Sequence, residues 1–125
     1  MIFDTDVLIF AQRGSVKAAR TIDDAKERFI SVQSLMELMQ GAKDKTELRV
    51  IRKFLFELEF TVLPLSEDIG HRALVYVEEY GLAASMRAGD AIIAATAVEF
   101  GKPLSTSNVK HFKVIKELDL RPFRP

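Results

Sequence analysis

Four short runs of strand-forming residues, "MIF" (1–3), "RFISV" (28–32), "TVLPL" (61–65) and "PLSTS" (103–107), are each separated by stretches with helical character. Strands that alternate with helices cannot pair as hairpins. They need crossovers, which put helices on the faces of a mainly parallel sheet. A fifth short run, "LRPF", closes the chain on the same logic, so a central sheet of four to five strands is expected. The intervening helices can be placed from their ends. Asp6–Arg13 reads as a helix with Val7, Phe10 and Ala11 on one side and Gly14 as its stop. Ser15 caps a polar helix to about Glu27.

Val32, Leu35, Met36 and Met39 fall at i, i+3, i+4 and i+7, which predicts the buried stripe of a helix ending at Gly41. Thr46 is the expected cap of the next helix, whose stripe is Leu48, Ile51, Phe54, Leu55 and Leu58. Pro64 marks an edge or a strand end. Ser66-Glu67-Asp68 opens a helix that runs to about Gly81, its acids placed to suit the helix dipole. Gly89-Asp90 opens an alanine-rich helix that runs to Gly101. At 125 residues with no linker or repeat, residues 1–125 form one α/β domain.

In parallel sheets the functional crevice lies beyond the carboxyl ends of the strands. Asp4 ends the first strand and Ser107-Asn108 end the fourth, so two polar loops point to one edge. Three carboxylates then draw notice by position: Asp4 at a strand end, Glu37 within an apolar helix, and Asp90 at a helix start. Clustered carboxylates repel one another unless a hard cation such as Mg²⁺ or Mn²⁺ lies between them. Each also has a plainer reading. Asp90 suits a helix N-cap or a first-turn acid, Glu37 a solvated helix face, and Asp4 or Thr5 the cap of the first helix. The residues alone leave both readings open.

Charge and composition decide little. The 18 basic and 18 acidic residues cancel, which disfavours tight nonspecific nucleic-acid binding but not an enzyme that grips RNA briefly. The absence of cysteine excludes disulfides, thiolate zinc sites and a cysteine nucleophile, and it fits a cytoplasmic location. No apolar run approaches the ~20 residues of a membrane span, and no signal peptide is evident.

The stretches "DTDVLI", "SVQSLMELMQG" and "GDAIIAATAVEFGKPLSTSNVKHF" together resemble the PIN-domain ribonucleases, and more specifically the VapC-type toxins of toxin–antitoxin pairs. The resemblance runs over essentially the whole chain and implies a single PIN-like domain. It implies that Asp4, Glu37 and Asp90 are acidic metal-site residues, with Asp4 and Asp90 the principal ligands of Mg²⁺ or Mn²⁺. It implies too that Asn108 shapes the site after the fourth strand, with Thr106 beside it. The implied activity is endoribonucleolytic cleavage of tRNA or another structured RNA at single-stranded loops by metal-activated water. The implied partners are a small VapB-like antitoxin and a second copy of the chain.

The chain departs from the family pattern where Asp6 replaces the usual Asn, Ser107 a common Arg, and His111 a frequent fourth acid. These changes put the second metal position in question and mark Asp6 and His111 as auxiliary site residues. A catalytically weak or silent PIN-like interaction module is the alternative reading. A haloacid-dehalogenase-type phosphatase, with Asp4 as nucleophile, is more distant because the motifs that should follow Asp4 and Asp6 come in the wrong order. Val50 and Phe56 lie off the stripe of their helix, Phe60 follows it, and the three are expected either to pack on a neighbouring helix or to form a partner surface, while His71 is expected at the surface.

Overall fold

The computed structural model describes residues 1–125. Strand β1 (Ile2–Phe3) is followed by helices α1 (Thr5–Gln12) and α2 (Val16–Asp24), and then by β2 (Phe29–Ser31). Helices α3 (Val32–Gln40) and α4 (Lys45–Glu57) lead to β3 (Thr61–Leu63) and α5 (Glu67–Tyr80). The chain ends with α6 (Ala88–Phe100), β4 (Leu104–Thr106), the single turn α7 (Val109–Phe112) and β5 (Leu120–Pro122). The sheet has five strands in the order β3-β2-β1-β4-β5, and every pairing is parallel. Ile2 pairs with Phe29 on one side and Leu104 on the other, so the shortest strand lies at the centre.

Successive strand residues point to opposite faces, and the two cores follow from that alternation. Ile2 and Leu104 join Ile69, Ala73, Tyr76, Ile93 and Phe112 under α5 and α6. Phe3 and Ile30 join Val7, Leu8, Ile22, Leu38, Ile51 and Leu55 under α1 to α4. Helix α6 is apolar almost all round, and Ala91, Ala94, Ala95 and Ala97 are buried, which lets it lie close on the sheet. Gly101 ends that helix in the left-handed conformation, at φ 62°.

Two sequence expectations fail locally. The buried residues of α3 are Ser34 and Leu38, whereas Met36 is exposed. The stripe is rotated because small Ser34 sits at the close approach to α1, where its hydroxyl is bonded to Thr5. The cap of α4 is Asp44, not Thr46. Asp44 Oδ1 accepts from the Glu47 amide at 2.8 Å, and the Glu47 carboxylate accepts from the Lys43 amide at 2.6 Å, two bonds that start the helix earlier. Phe60 is packed edge-on to Phe3 and stacks with Phe54, while Val50 and Phe56 stay exposed. His71 is exposed, as expected. No helix is long and apolar enough to cross a membrane.

Candidate active site

The strand order places β2 and β3 on one side of β1, and β4 and β5 on the other. The crevice at such a reversal opens between the carboxyl ends of the two strands that part, here β1 and β4. Asp4 and Thr106 occupy those ends, and their side chains touch.

Asp4 is buried and caps α1. Its Oδ1 accepts from the Thr5 amide and its Oδ2 from the Thr106 hydroxyl, each at 2.7 Å. The Asn108 amide in turn donates to Thr106 Oγ1 at 3.0 Å, which fixes the start of the turn after β4. Thr5 points the other way along the crevice. Its hydroxyl donates to Glu37 Oε1 at 2.6 Å and lies 2.9 Å from Ser34 Oγ. Ser34 and Glu37 stand three residues apart on one face of α3, so a single threonine engages both.

Asp90 lies in the first turn of α6, where its Oδ2 accepts from the Arg87 amide at 3.4 Å. The cap of α6 is therefore Arg87, with Asp90 the acid of its first turn, whereas Asp4 does cap α1. The same Asp90 oxygen is 3.2 Å from His111 Nδ1, which is also 3.0 Å from Asn108 Nδ2. A Cβ on Gly89 would come within 3.2 Å of Glu37 Oε2, so the glycine lets the start of α6 approach α3. The contacts thus run from Glu37 through Thr5, Asp4, Thr106, Asn108 and His111 to Asp90, and return to Glu37 beside Gly89. Glu37 is half-buried in this ring and does not sit on a solvated face.

Asp6 lies beside the ring. Its Oδ2 accepts from the amide of Ser107 at 3.1 Å and from the Ser107 hydroxyl, while its Oδ1 is buried without a partner. The two departures at positions 6 and 107 therefore meet each other. Thr5 and Ser34 are site residues that sequence reasoning missed, and Ser107 was marked there only as a departure from the family pattern. For Thr5 and Ser34 a signal existed in their adjacency to Asp4 and in the i, i+3 spacing to Glu37.

Electrostatically the site is unbalanced. Burial, reinforced by the charges of Asp6 and Asp90, pushes the Asp4 carboxyl up to about 7, against the opposing hydrogen bonds from Thr106 and Thr5. Oxygen donors, an orphaned carboxylate oxygen and an acid that resists ionisation are the donor chemistry that a hard dication relieves. No three of the acidic or histidine side chains converge on one point as they stand.

The profile of the PIN domain matches residues 1–118. "Ribonuclease VapC" from Rickettsia bellii is 30% identical over 125 residues, covering 96% of this chain and 93% of that protein. "Ribonuclease VapC10" from Mycobacterium tuberculosis is 34% identical over 122 residues, covering 94% and 90%. Among solved structures, a toxin–antitoxin complex from Klebsiella pneumoniae contains a chain with a TM-score of 0.80 at 31% identity, covering 94% of this chain and 93% of that one. In fold the chain also resembles a chain of VapBC2 from Rickettsia felis, solved with a DNA fragment from its promoter (TM-score 0.82, 23% identity, 99% and 100% covered). With a profile match that spans residues 1–118 and relatives that align over almost its whole length, the chain belongs to the PIN-domain family and to the VapC ribonucleases within it.

Proposed function

We propose that the chain is a toxin of the VapC kind: a Mg²⁺- or Mn²⁺-dependent endoribonuclease that cuts tRNA or another structured RNA at single-stranded loops. The observation that carries this reading is the buried Asp4 carboxyl at the mouth of the sheet, held near 7 by burial and by two neighbouring acids. A fold tolerates such a cost where the charge has a task.

Asp4 and Asp90 would hold the ion, with Glu37 set behind Thr5 at the other side of the crevice. A dication there supplies a positive charge for the non-bridging phosphate oxygens and a more acidic water. The protein's own groups do the rest. Thr106 and the Thr5 amide fix the rotamer of Asp4, and Thr5 fixes Glu37 Oε1. That leaves Glu37 Oε2 free to orient a water or take its proton. The Asn108 side chain, at the rim with His111, is placed to meet the substrate phosphate or ribose. No covalent intermediate is required, so Asp4 is not a nucleophile in this reading.

A small VapB-like antitoxin is the proposed restraint. An open groove of about 430 Å³ between α1, α3 and α4 runs up to Glu37 and is lined by Ile9, Leu38, Val50 and Ile51. Val50 on α4, an exposed residue, makes part of its apolar rim. A helix with apolar anchors would fit there and reach the acids with its end. Self-association is the second proposed contact; Leu74 and Val77 on α5 are exposed apolar residues on the other side of the sheet.

The test is cleavage of a total tRNA pool with Mn²⁺, wild type beside Asp90→Asn. Cleavage by the wild type and its loss in the variant are expected. Equal cleavage by both would end the proposal. The alternative, a silent interaction module, draws support from the engagement of Asp90 by His111, and an absence of both Mn²⁺ binding and cleavage would favour it.

A further inference from the structure

Asp6 and Ser107 are 101 residues apart in the chain and meet at the mouth of the sheet. Asp6 lies in the first turn of α1, and Ser107 directly follows β4. One oxygen of Asp6, Oδ2, accepts from the Ser107 amide at 3.1 Å and from the Ser107 hydroxyl as well. The other, Oδ1, is buried without a partner. A buried carboxylate oxygen with no donor is costly, and such groups are few in folded chains. What this carboxylate holds in place is the start of the turn that follows β4.

That turn carries the rim of the crevice. Asn108 is the residue before α7, yet its side chain makes no capping bond to that helix. Asn108 Nδ2 lies instead 3.0 Å from His111 Nδ1, and the same ring nitrogen is 3.2 Å from Asp90 Oδ2. Neither side chain bonds α1 or β4, so both depend for their place on the backbone that bears them. The Asn108 amide is tied to Thr106 Oγ1 at 3.0 Å, and fully buried Phe112 anchors the far end of the turn. Ser107 is the joint between β4 and α7. Asp6 is the only side chain hydrogen-bonded to it.

We propose that Asp6 is a positioning residue: through its double hold on Ser107 it sets the place of Asn108 and His111, and with them the seat of the RNA strand at the rim. It makes no hydrogen bond to either residue and acts through the backbone of the turn. Its influence falls on substrate binding, because the groups it places stand at the rim. The inference rests on the reading of this crevice as a ribonuclease site and adds to it the residue that sets the seat of the substrate. Asp6 also bears on Asp4, whose carboxyl its charge pushes up. Ser107 separates the two roles, since Ser107→Ala loosens the hold and leaves that charge in place.

The experiment is steady-state cleavage, with Mn²⁺, of a labelled stem-loop oligoribonucleotide copied from a tRNA that the wild type cuts in the total pool. The full chain is compared with Asp6→Asn, Asp6→Ala, Ser107→Ala and the double variant Asp6→Ala/Ser107→Ala, and the ring signals of His111 are followed by NMR. Melting curves are the folding control, and Ser107→Ala, which removes one hydroxyl, keeps the test open should Asp6→Ala unfold. Asp6→Ala should raise KM ~10-fold with kcat within ~3-fold of wild type, and Ser107→Ala should raise KM ~3-fold. The double variant should match Asp6→Ala within ~2-fold, because both changes break one hold. Asp6→Asn keeps an accepting oxygen and should recover most of the loss. The His111 signals should shift in Asp6→Ala and stay near their wild-type place in Asp6→Asn. Unmoved His111 signals, KM effects that multiply in the double variant, or a fall in kcat with KM unchanged would overturn this inference and leave the ribonuclease reading intact. A wild type that cuts no RNA in the pool would overturn both.

Discussion

Two polar clusters of the molecule hold their carboxylates in opposite ways. In the cleft between α5 and α6, Arg72 pairs with Glu99 and lies 3.6 Å from Glu117, while the Tyr76 hydroxyl donates to Glu117 at 2.6 Å. The Tyr76 hydrogen bond, helped by Arg72, holds the Glu117 carboxyl below its usual value of 4.5, and burial together with that bond pushes Tyr76 up to about 12. Both carboxylates there lie beside the Arg72 guanidinium, and Glu117 also accepts from Tyr76. At the sheet edge the carboxylates of Asp4, Asp6 and Asp90 face one another with hydroxyls and amides but no Lys or Arg, and Asp4 moves upward instead. Acid density alone does not mark a site. What distinguishes the two clusters is whether an arginine of the chain reaches the acids.

The largest way to break this contrast is to remove an acid from each. Asp4→Asn and Asp90→Asn should each lower RNA cleavage by ~10³-fold or more, on the scale of losing a principal group of a metal-assisted hydrolysis. Glu117→Gln should leave cleavage within ~2-fold, since it lies in the other cluster. Comparable losses from all three would erase the distinction.

Stability should respond with opposite signs. The Asp4 carboxyl is raised in the fold from 3.8 to about 7, so its penalty is absent below the unfolded value, grows between the two values and is complete once pH passes the folded one. At ~1.4 kcal/mol per tenfold, the cost to the ion-free protein reaches at most roughly 4 kcal/mol above neutrality. Asp4→Asn should therefore stabilise the ion-free protein by ~1–3 kcal/mol at pH 8 and by little near pH 4, as read from denaturant melts. Glu117 runs the other way, because its carboxyl is depressed. Its small contribution is present above 4.5 and lost as pH falls through the lowered value.

Within each cluster, single hydrogen bonds give the smaller effects. Tyr76→Phe should cost ~1 kcal/mol and leave cleavage unchanged. Thr5→Val frees Glu37 Oε1 and Ser34. It should cost a similar ~1 kcal/mol yet lower cleavage by ~10-fold, because it unfixes a carboxylate within the crevice. Equal kinetic effects of the two would show that Thr5 has no special place.

The two clusters also differ in how far they could be read in advance. Strand ends and caps announce themselves locally, so Asp4 at the end of β1, Ser15 and Ser66 as caps, and Gly101 as a stop were all legible. The convergence of Asp4 and Thr106 followed from parallel topology, since both end neighbouring strands. Glu37 was harder. An apolar-periodicity argument ranks Met36 above Ser34, yet Ser34 is buried because it is small and hydrogen-bonded to Thr5. Asp6 with Ser107 was illegible for a related reason: the pair is a contact across 101 residues that no spacing encodes. The α5–α6 cluster gave no warning at all, because Arg72, Glu99 and Glu117 each resemble ordinary surface charge until the fold brings them together.

The most direct test of the claim that the sheet edge is a charge cluster left for a cation is one melting experiment. Wild type and Asp4→Asn are melted at pH 8 with EDTA and again with millimolar Mn²⁺. The variant should melt higher than wild type in EDTA, and only the wild type should gain markedly when Mn²⁺ is added. A wild type that is the more stable protein in EDTA and is indifferent to Mn²⁺ would contradict the account.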